Sequence, residues 1–188
     1  PSRITADASP YQAVEVATIG AAIVVPGTSS GADPDTTALG SAIHAVFAVA
    51  PAHRLPGKTE KILHRWGLGS ETVAAIAAPV VGAVDALETF LKDRYAVTEF
   101  HREWPVFSRN EAGQMMRGWI DLLAETPDGW VIVDHKTYAG GDPLSTAAHY
   151  GPQLAHYRRT VEPATGKPVR ETLINLVMQG VVYRVEDV

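Results

Sequence analysis

Two aspartates and a lysine sit on two β-prone stretches joined by a short turn. They are Asp121, Asp134 and Lys136 in the run Gly118-Trp-Ile-Asp-Leu-Leu-Ala-Glu-Thr-Pro-Asp-Gly-Trp-Val-Ile-Val-Asp-His-Lys-Thr137. The turn is Thr126-Pro-Asp-Gly129. Proline suits the second position of a tight turn and glycine the last, so the run predicts a β-hairpin. With Thr126 and Gly129 as its outer residues, Leu122 faces Val133, Asp121 faces Asp134 and Trp119 faces Lys136. Alternation then assigns Ile120, Leu122, Ala124, Val131 and Val133 to a buried face, and Asp121, Asp134 and Lys136 to the other. Carboxylates facing each other across strands lie ~5 Å apart and repel. A divalent cation or a shared proton relieves that repulsion. Oxygen ligands beside an ammonium suit Mg²⁺, which takes one or two carboxylates with water and phosphate. For any single aspartate, a solvated strand face is the ordinary reading. Three such groups converging beside Trp119 and Ile132 put a metal site ahead of it, provided the register holds, because a one-residue slip scatters the group.

At these residues the chain resembles the PD-(D/E)XK nucleases, whose motif is an Asp on one strand and Asp-x-Lys on the next: here Asp121, then Asp134-His-Lys136. Four stretches look like the RecB-type branch, which supplies nuclease domains to bacterial recombination helicases. They are Leu39-Gly-Ser-Ala-Ile-His44, Gly118-Trp-Ile-Asp-Leu, Ile132-Val-Asp-His-Lys-Thr137 and Gln153-Leu-Ala-His-Tyr157. Asp-x-Lys alone is a very weak signal, whereas four elements in order from residue 39 to 157 are specific. The resemblance implies an α/β fold, a central mixed β-sheet flanked by helices as in restriction endonucleases. It also implies a metal-dependent deoxyribonuclease. Asp121, Asp134 and His44 would hold Mg²⁺ or Mn²⁺, with the backbone carbonyl of His135 completing the shell. Asp121, Asp134 and Lys136 would be catalytic, and Gln153 and Tyr157 would position the DNA strand. Glu103 matches an acidic position common in the family's first strand, although pairing with Arg102 or Arg117 is the favoured reading there. Arg158 and Arg159 could touch phosphates or simply lie on a solvated helix face.

The remaining elements must carry these groups. Residues 1–36 are the least informative, a mix of strand formers with Gly and Ala followed by a loop from Pro26 to Pro34. Asp35-Thr-Thr37 can cap a helix over about 38–49, with Leu39, Ile43, Val46 and Phe47 as its buried stripe and His44 at the stripe's edge. A histidine there is ordinarily a satisfied core residue, and the resemblance reverses that. Gly40 would let backbone or DNA approach closely. A short helical piece is expected at 59–66, with His53 and His64 on the surface. A long helix over 70–92 follows, capped by Ser70, kinked or split by Pro79 and buried through Val73, Ile76, Val80, Val84, Leu87 and Leu91. A strand over 95–109 is interrupted at Pro105. After the hairpin come a Gly-rich loop over 138–143, a helix over 147–161 and strands at 172–177 and 181–185. Gln153 and Tyr157, four apart, share one helix face.

Composition bounds the rest. A chain of 188 residues, 46% hydrophobic and free of low-complexity tracts, is expected to form one globular domain. It opens at Pro1, so a processed form or a piece of a larger helicase-nuclease is expected. Without cysteine it can hold neither a disulfide nor a cysteine-bound iron–sulfur cluster, which some relatives in the branch carry. The longest candidate for an unbroken apolar run, Val16 to Pro26, is too short to span a bilayer, so no membrane contact and a bacterial cytoplasmic location are expected. No P-loop motif occurs, so the chain has no ATP site of that type and a helicase domain or subunit must supply any motor. Sixteen basic and 21 acidic residues give a net charge of −5, awkward for a free-standing DNA binder. Metal loading and a partner that holds single-stranded DNA are expected to act together. Two rivals stay open: a catalytically inactive DNA-end-binding module on the same fold, and a dimeric restriction-type endonuclease. Exonuclease or endonuclease action and its polarity are open too.

Overall fold

The computed structural model describes residues 10–26, 36–109, 115–137 and 142–188. The expected Asp35 cap, residues 27–34 of the N-terminal loop and residues 138–141 of the Gly-rich loop lie outside them. Strands β1 (Tyr11–Thr18), β2 (Glu99–Arg109), β3 (Met115–Thr126), β4 (Gly129–Lys136), β5 (Val169–Leu176) and β6 (Val181–Asp187) form one sheet in the order β1-β6-β5-β4-β3-β2. The β4–β5 pair is parallel and the others are antiparallel, giving the expected mixed sheet. Helices α1 (Thr36–Ala48), α2 (Lys58–Arg65) and α3 (Ser70–Tyr95) belong to one side, and α4 (Pro143–His149) and α5 (Gly151–Thr165) to the other. Each side has its own core. Leu122, Ala124, Val131 and Val133 pack with α1 and α3, whereas Ile120, Leu123, Trp130 and Ile132 pack with Leu154, Tyr157 and Val161 of α5. A central strand buried on both faces reads as a nearly continuous apolar run, and β4 is buried from Gly129 to His135.

The hairpin register is the expected one, Thr126 opposite Gly129 and Leu122 opposite Val133. Gly129, at φ 142, fits a place where an added Cβ would come within 2.2 Å of the Pro168 carbonyl oxygen. The face assignment needs one correction. Ile120 is buried, but on the α5 side, opposite to Leu122. The cause is local: β2 and β3 pair at Arg102–Leu122 and Trp104–Ile120, and between those pairs Glu103 adopts φ 49. That irregularity switches the sheet face at Asp121.

Further expectations change. Pro79 does not divide α3, because it lies on the exposed side where the carbonyl it leaves unbonded can meet water, while the buried stripe continues on both sides of it. Gly69, not Ser70, is the N-cap. The strand is not broken at Pro105, which sits on the edge strand β2, where a missing N–H costs no ladder bond. The helix after the hairpin is two helices, since Gly151-Pro152 ends one and starts the other. His53 is buried, with Nε2 3.0 Å from Asp85 Oδ1, and is not on the surface. Although α3 is long and apolar enough to cross a membrane, with a mean hydropathy of 1.6, it packs its stripe into the core. Its uncharged stretch, Thr72 to Val84, is longer than the Val16 to Pro26 run but still short of a bilayer span, and Glu71, Asp85, Glu88 and Lys92 to Arg94 lie at its ends.

Candidate active site

The β3–β4 ladder ends at Leu122–Val133, one pair short of Asp121 and Asp134. Where it stops, the His135 N–H donates to Asp121 Oδ2 at 2.7 Å, so a side chain takes the place of the missing backbone acceptor. The two strands open around the carboxylates. From α1, His44 comes up to the same group, its Nδ1 3.6 Å from Asp121 Oδ2. That is too long for a hydrogen bond. It suits two ligands of one ion, since two bonds of about 2.1 Å span up to about 4.2 Å.

Asp134 is 2% exposed and its two oxygens have different fates. Oδ1 accepts from Gln153 Nε2 at 3.0 Å. Oδ2 has the Lys136 ammonium, Nζ 2.7 Å away, as its ion-pair partner and no other. Gln153 Nε2 also donates to the Tyr157 hydroxyl at 2.9 Å, and that hydroxyl donates to the Trp119 carbonyl at 2.8 Å. A chain of hydrogen bonds thus ties α5 to both site strands. Lys136 lies over the Tyr150 ring, 4.1 Å from its centre.

Burial first, and then repulsion from Asp121, push the Asp134 carboxyl up to about 6. Burial likewise raises Asp121, against the opposing pull of His44 and the His135 N–H. Lys136 is held above the usual lysine range: burial works against its charge, but the ion pair with Asp134 outweighs burial. It therefore carries an ammonium at neutral pH, which suits charge stabilisation better than proton abstraction. His135 is fully enclosed, packed 4.4 Å from Phe47 and beside Asn175, and burial holds it neutral, well below the ordinary histidine range.

The cleft beside these groups has a volume of about 630 Å³ and is lined by His44, Asp121, Glu103, Gly40, Thr137 and Trp66 among others. Glu103 is on this wall: Arg102 pairs with Glu88 at 2.6 Å and Arg117 lies over Trp119, so neither arginine takes up the expected pairing. An added Cβ at Gly40 would stand 2.8 Å from Thr137 Oγ1, so the close neighbour anticipated there is the threonine that follows Lys136. Arg158 is not brought to the site. It lines a separate groove with Tyr11, Leu154 and Glu186. Sequence reasoning missed Thr137, Tyr150 and Trp66. Thr137 could have been found by its place next to Lys136, whereas no sequence signal marks the other two.

The donor set fits a divalent cation: a buried and a half-buried carboxylate, both held above their ordinary range, one carboxylate oxygen whose single partner is the Lys136 ammonium, and an imidazole at ligand distance. A second cluster, Glu99, His101 and Glu125, has donor atoms within 4.8 Å of one another. Its Glu125 is already paired with Lys167 at 2.6 Å.

Comparison with known proteins gives the family. The PD-(D/E)XK nuclease superfamily matches residues 21–187, and the chain belongs to that superfamily. Within it, the relatives are of the RecB type. An ATP-dependent helicase/nuclease subunit from Alkaliphilus oremlandii is 27% identical over 165 residues, covering 76% of this chain and 14% of that protein. Its counterpart in Carboxydothermus hydrogenoformans is 45% identical over 65 residues, 34% of this chain and 6% of that protein. In Acetivibrio thermocellus the figures are 38% over 68 residues, 35% and 5%. The chain spans a small part of each of these relatives.

Proposed function

We propose that the protein is a metal-dependent deoxyribonuclease module acting on single-stranded DNA, delivered by a linked or partner helicase during bacterial recombination or repair. On this reading residues 1–188 form one nuclease domain working in the cytoplasm. The observation that carries it is the meeting of Asp121, Asp134, Lys136 and His44 where β3 and β4 part. Asp121, Asp134 and His44, together with the His135 carbonyl, would hold Mg²⁺ or Mn²⁺. A cation held there would supply Lewis-acid chemistry, polarising the scissile phosphate and lowering the pKa of a water. Lys136, an ammonium under the pull of Asp134, orients that water and offsets the charge that grows on the phosphate oxygens. Gln153 fixes Asp134 through Oδ1 and turns Oδ2 toward Lys136 and the cation site. Tyr157 locks Gln153 and the Trp119 backbone into the same frame, which keeps the strand-binding edge in register with the carboxylates. Glu103, on the cleft wall, adds negative potential that favours the cation. The products carry a 5′-phosphate and a 3′-hydroxyl.

Digestion of end-labelled single-stranded and duplex DNA with Mn²⁺, beside a Lys136→Ala control, tests the reading. Cleavage of the single strand by the unaltered protein alone supports it. Cleavage that survives excess chelator, or persists in the variant, overturns it.

A further inference from the structure

Beyond the β4 edge, β2 and β3 continue as a two-stranded ribbon, paired from Trp104–Ile120 out to Arg109–Met115. One face of this ribbon is packed: Val106 and Ile120 are buried, and the Tyr157 ring is the nearest neighbour of Gly118 after Val106. The opposite face carries Phe107, Arg117 and Trp119, with Phe107 57% and Trp119 42% exposed. Arg117 lies over both rings, 4.4 Å from the centre of Trp119 and 5.9 Å from that of Phe107. It makes no salt bridge among the described residues. An exposed aromatic pair around a guanidinium stands out in a chain of net charge −5.

We infer that this ribbon face is a stacking platform for unpaired nucleobases of the strand entering the cleft. The inference rests on the nuclease reading and names the surface that reading lacks. Three features select a single-stranded nucleic acid rather than a protein partner. Trp119 is two residues from Asp121, about 7 Å along a strand, so a base on its ring belongs to a nucleotide adjacent to the phosphate at the carboxylates. The platform lies on the α1 side of the sheet, the side from which His44 lines the cleft, and Trp66, 45% exposed, stands on that cleft's wall. The guanidinium provides positive charge for the backbone, while the rings provide π faces that accept any base. Duplex bases are already stacked and cannot use such a surface, so the platform selects unpaired strands.

The test is anisotropy of a fluorescein-labelled thymidine oligonucleotide in chelator, where binding is read without cleavage. Trp119→Ala should weaken binding roughly 5- to 150-fold, the range spanned by one base stacked on one aromatic ring, and Trp119→Phe should restore most of it. Phe107→Ala should weaken it in the same direction. The unaltered protein should bind the oligonucleotide more tightly than one of equal charge with abasic sites, a preference that Trp119→Ala removes. Equal affinities for the two strands, or variants that bind like the parent, would overturn the platform and leave the ribbon as a protein-docking face. Should the parent cut no DNA yet show the Trp119-dependent preference, the nuclease reading falls and the platform stands. Should it cut normally with no such preference, the reverse holds.

Discussion

Asp134→Asn tests whether the site is built under electrostatic stress. In the folded protein without metal, burial and Asp121 lift the Asp134 carboxyl to about 6 from 3.8. Each pKa unit corresponds to ~1.4 kcal/mol, so ionising this group in the fold costs on the order of 3 kcal/mol more than ionising it in the unfolded chain. A raised acid contributes its stability in full below the unfolded value, and the contribution is lost as pH rises through the folded one. In chelator, the unaltered protein should therefore lose on the order of 3 kcal/mol from this group between about pH 4 and pH 7. Asparagine cannot ionise, so the variant should lack that part of the slope. Its absolute stability is a poorer readout, because Lys136 loses its 2.7 Å partner at the same time. Urea unfolding at pH 4.5, 6 and 7.5 in chelator gives the difference between the two proteins at each pH. That difference should move in the variant's favour by a few kcal/mol as pH rises. Parallel curves would show that Asp134 ionises as freely in the fold as in water, and the argument for a cation there would lose its physical basis.

Other expectations follow from the same geometry. Asp134→Ala and Lys136→Ala should each lower cleavage by about a hundredfold or more, with the circular-dichroism melt still cooperative. Normal cutting by either variant would mean the site is misassigned. Because an imidazole ligand suits Mn²⁺ better than Mg²⁺, initial rates on single-stranded DNA should be at least as high with manganese. Leu91→Ala, at a fully buried position of α3, should cost about 2–5 kcal/mol in urea unfolding, as befits a core helix. A change under about 1 kcal/mol, well below that range, would remove α3 from the core.

Much of the site was legible because it is local. Thr126-Pro-Asp-Gly129 determines the hairpin register, and period-two alternation then puts Asp134 and Lys136 on one face of β4. His44 and Gln153 could be assigned only through the family resemblance, since nothing within α1 or α5 says which strand each will meet. The parts that resisted reading depend on distant partners. Whether Pro79 splits α3 depends on which side of the helix the sheet covers. The face switch at Asp121 arises from the positive φ of Glu103 on a neighbouring strand, invisible to any alternation count. β1 gains its order from β6 at the far end of the chain, as in the pairing of Gln12 with Glu186. Glu88, buried between Arg54 and Arg102, looks from sequence like another outer-face charge of α3. The break at Gly151-Pro152 was missed as well, although its signal is local: a proline in that position starts a helix more readily than it continues one.

The most direct measurement is anomalous scattering from a crystal soaked in manganese at a pH comfortably above the raised Asp134 value of about 6, where both carboxylates are available as anions. A peak within ligand distance of Asp121, Asp134 and His44, lost in Asp134→Ala, is the predicted result. A pocket without a peak there, or manganese only at Glu99, His101 and Glu125, would contradict the account.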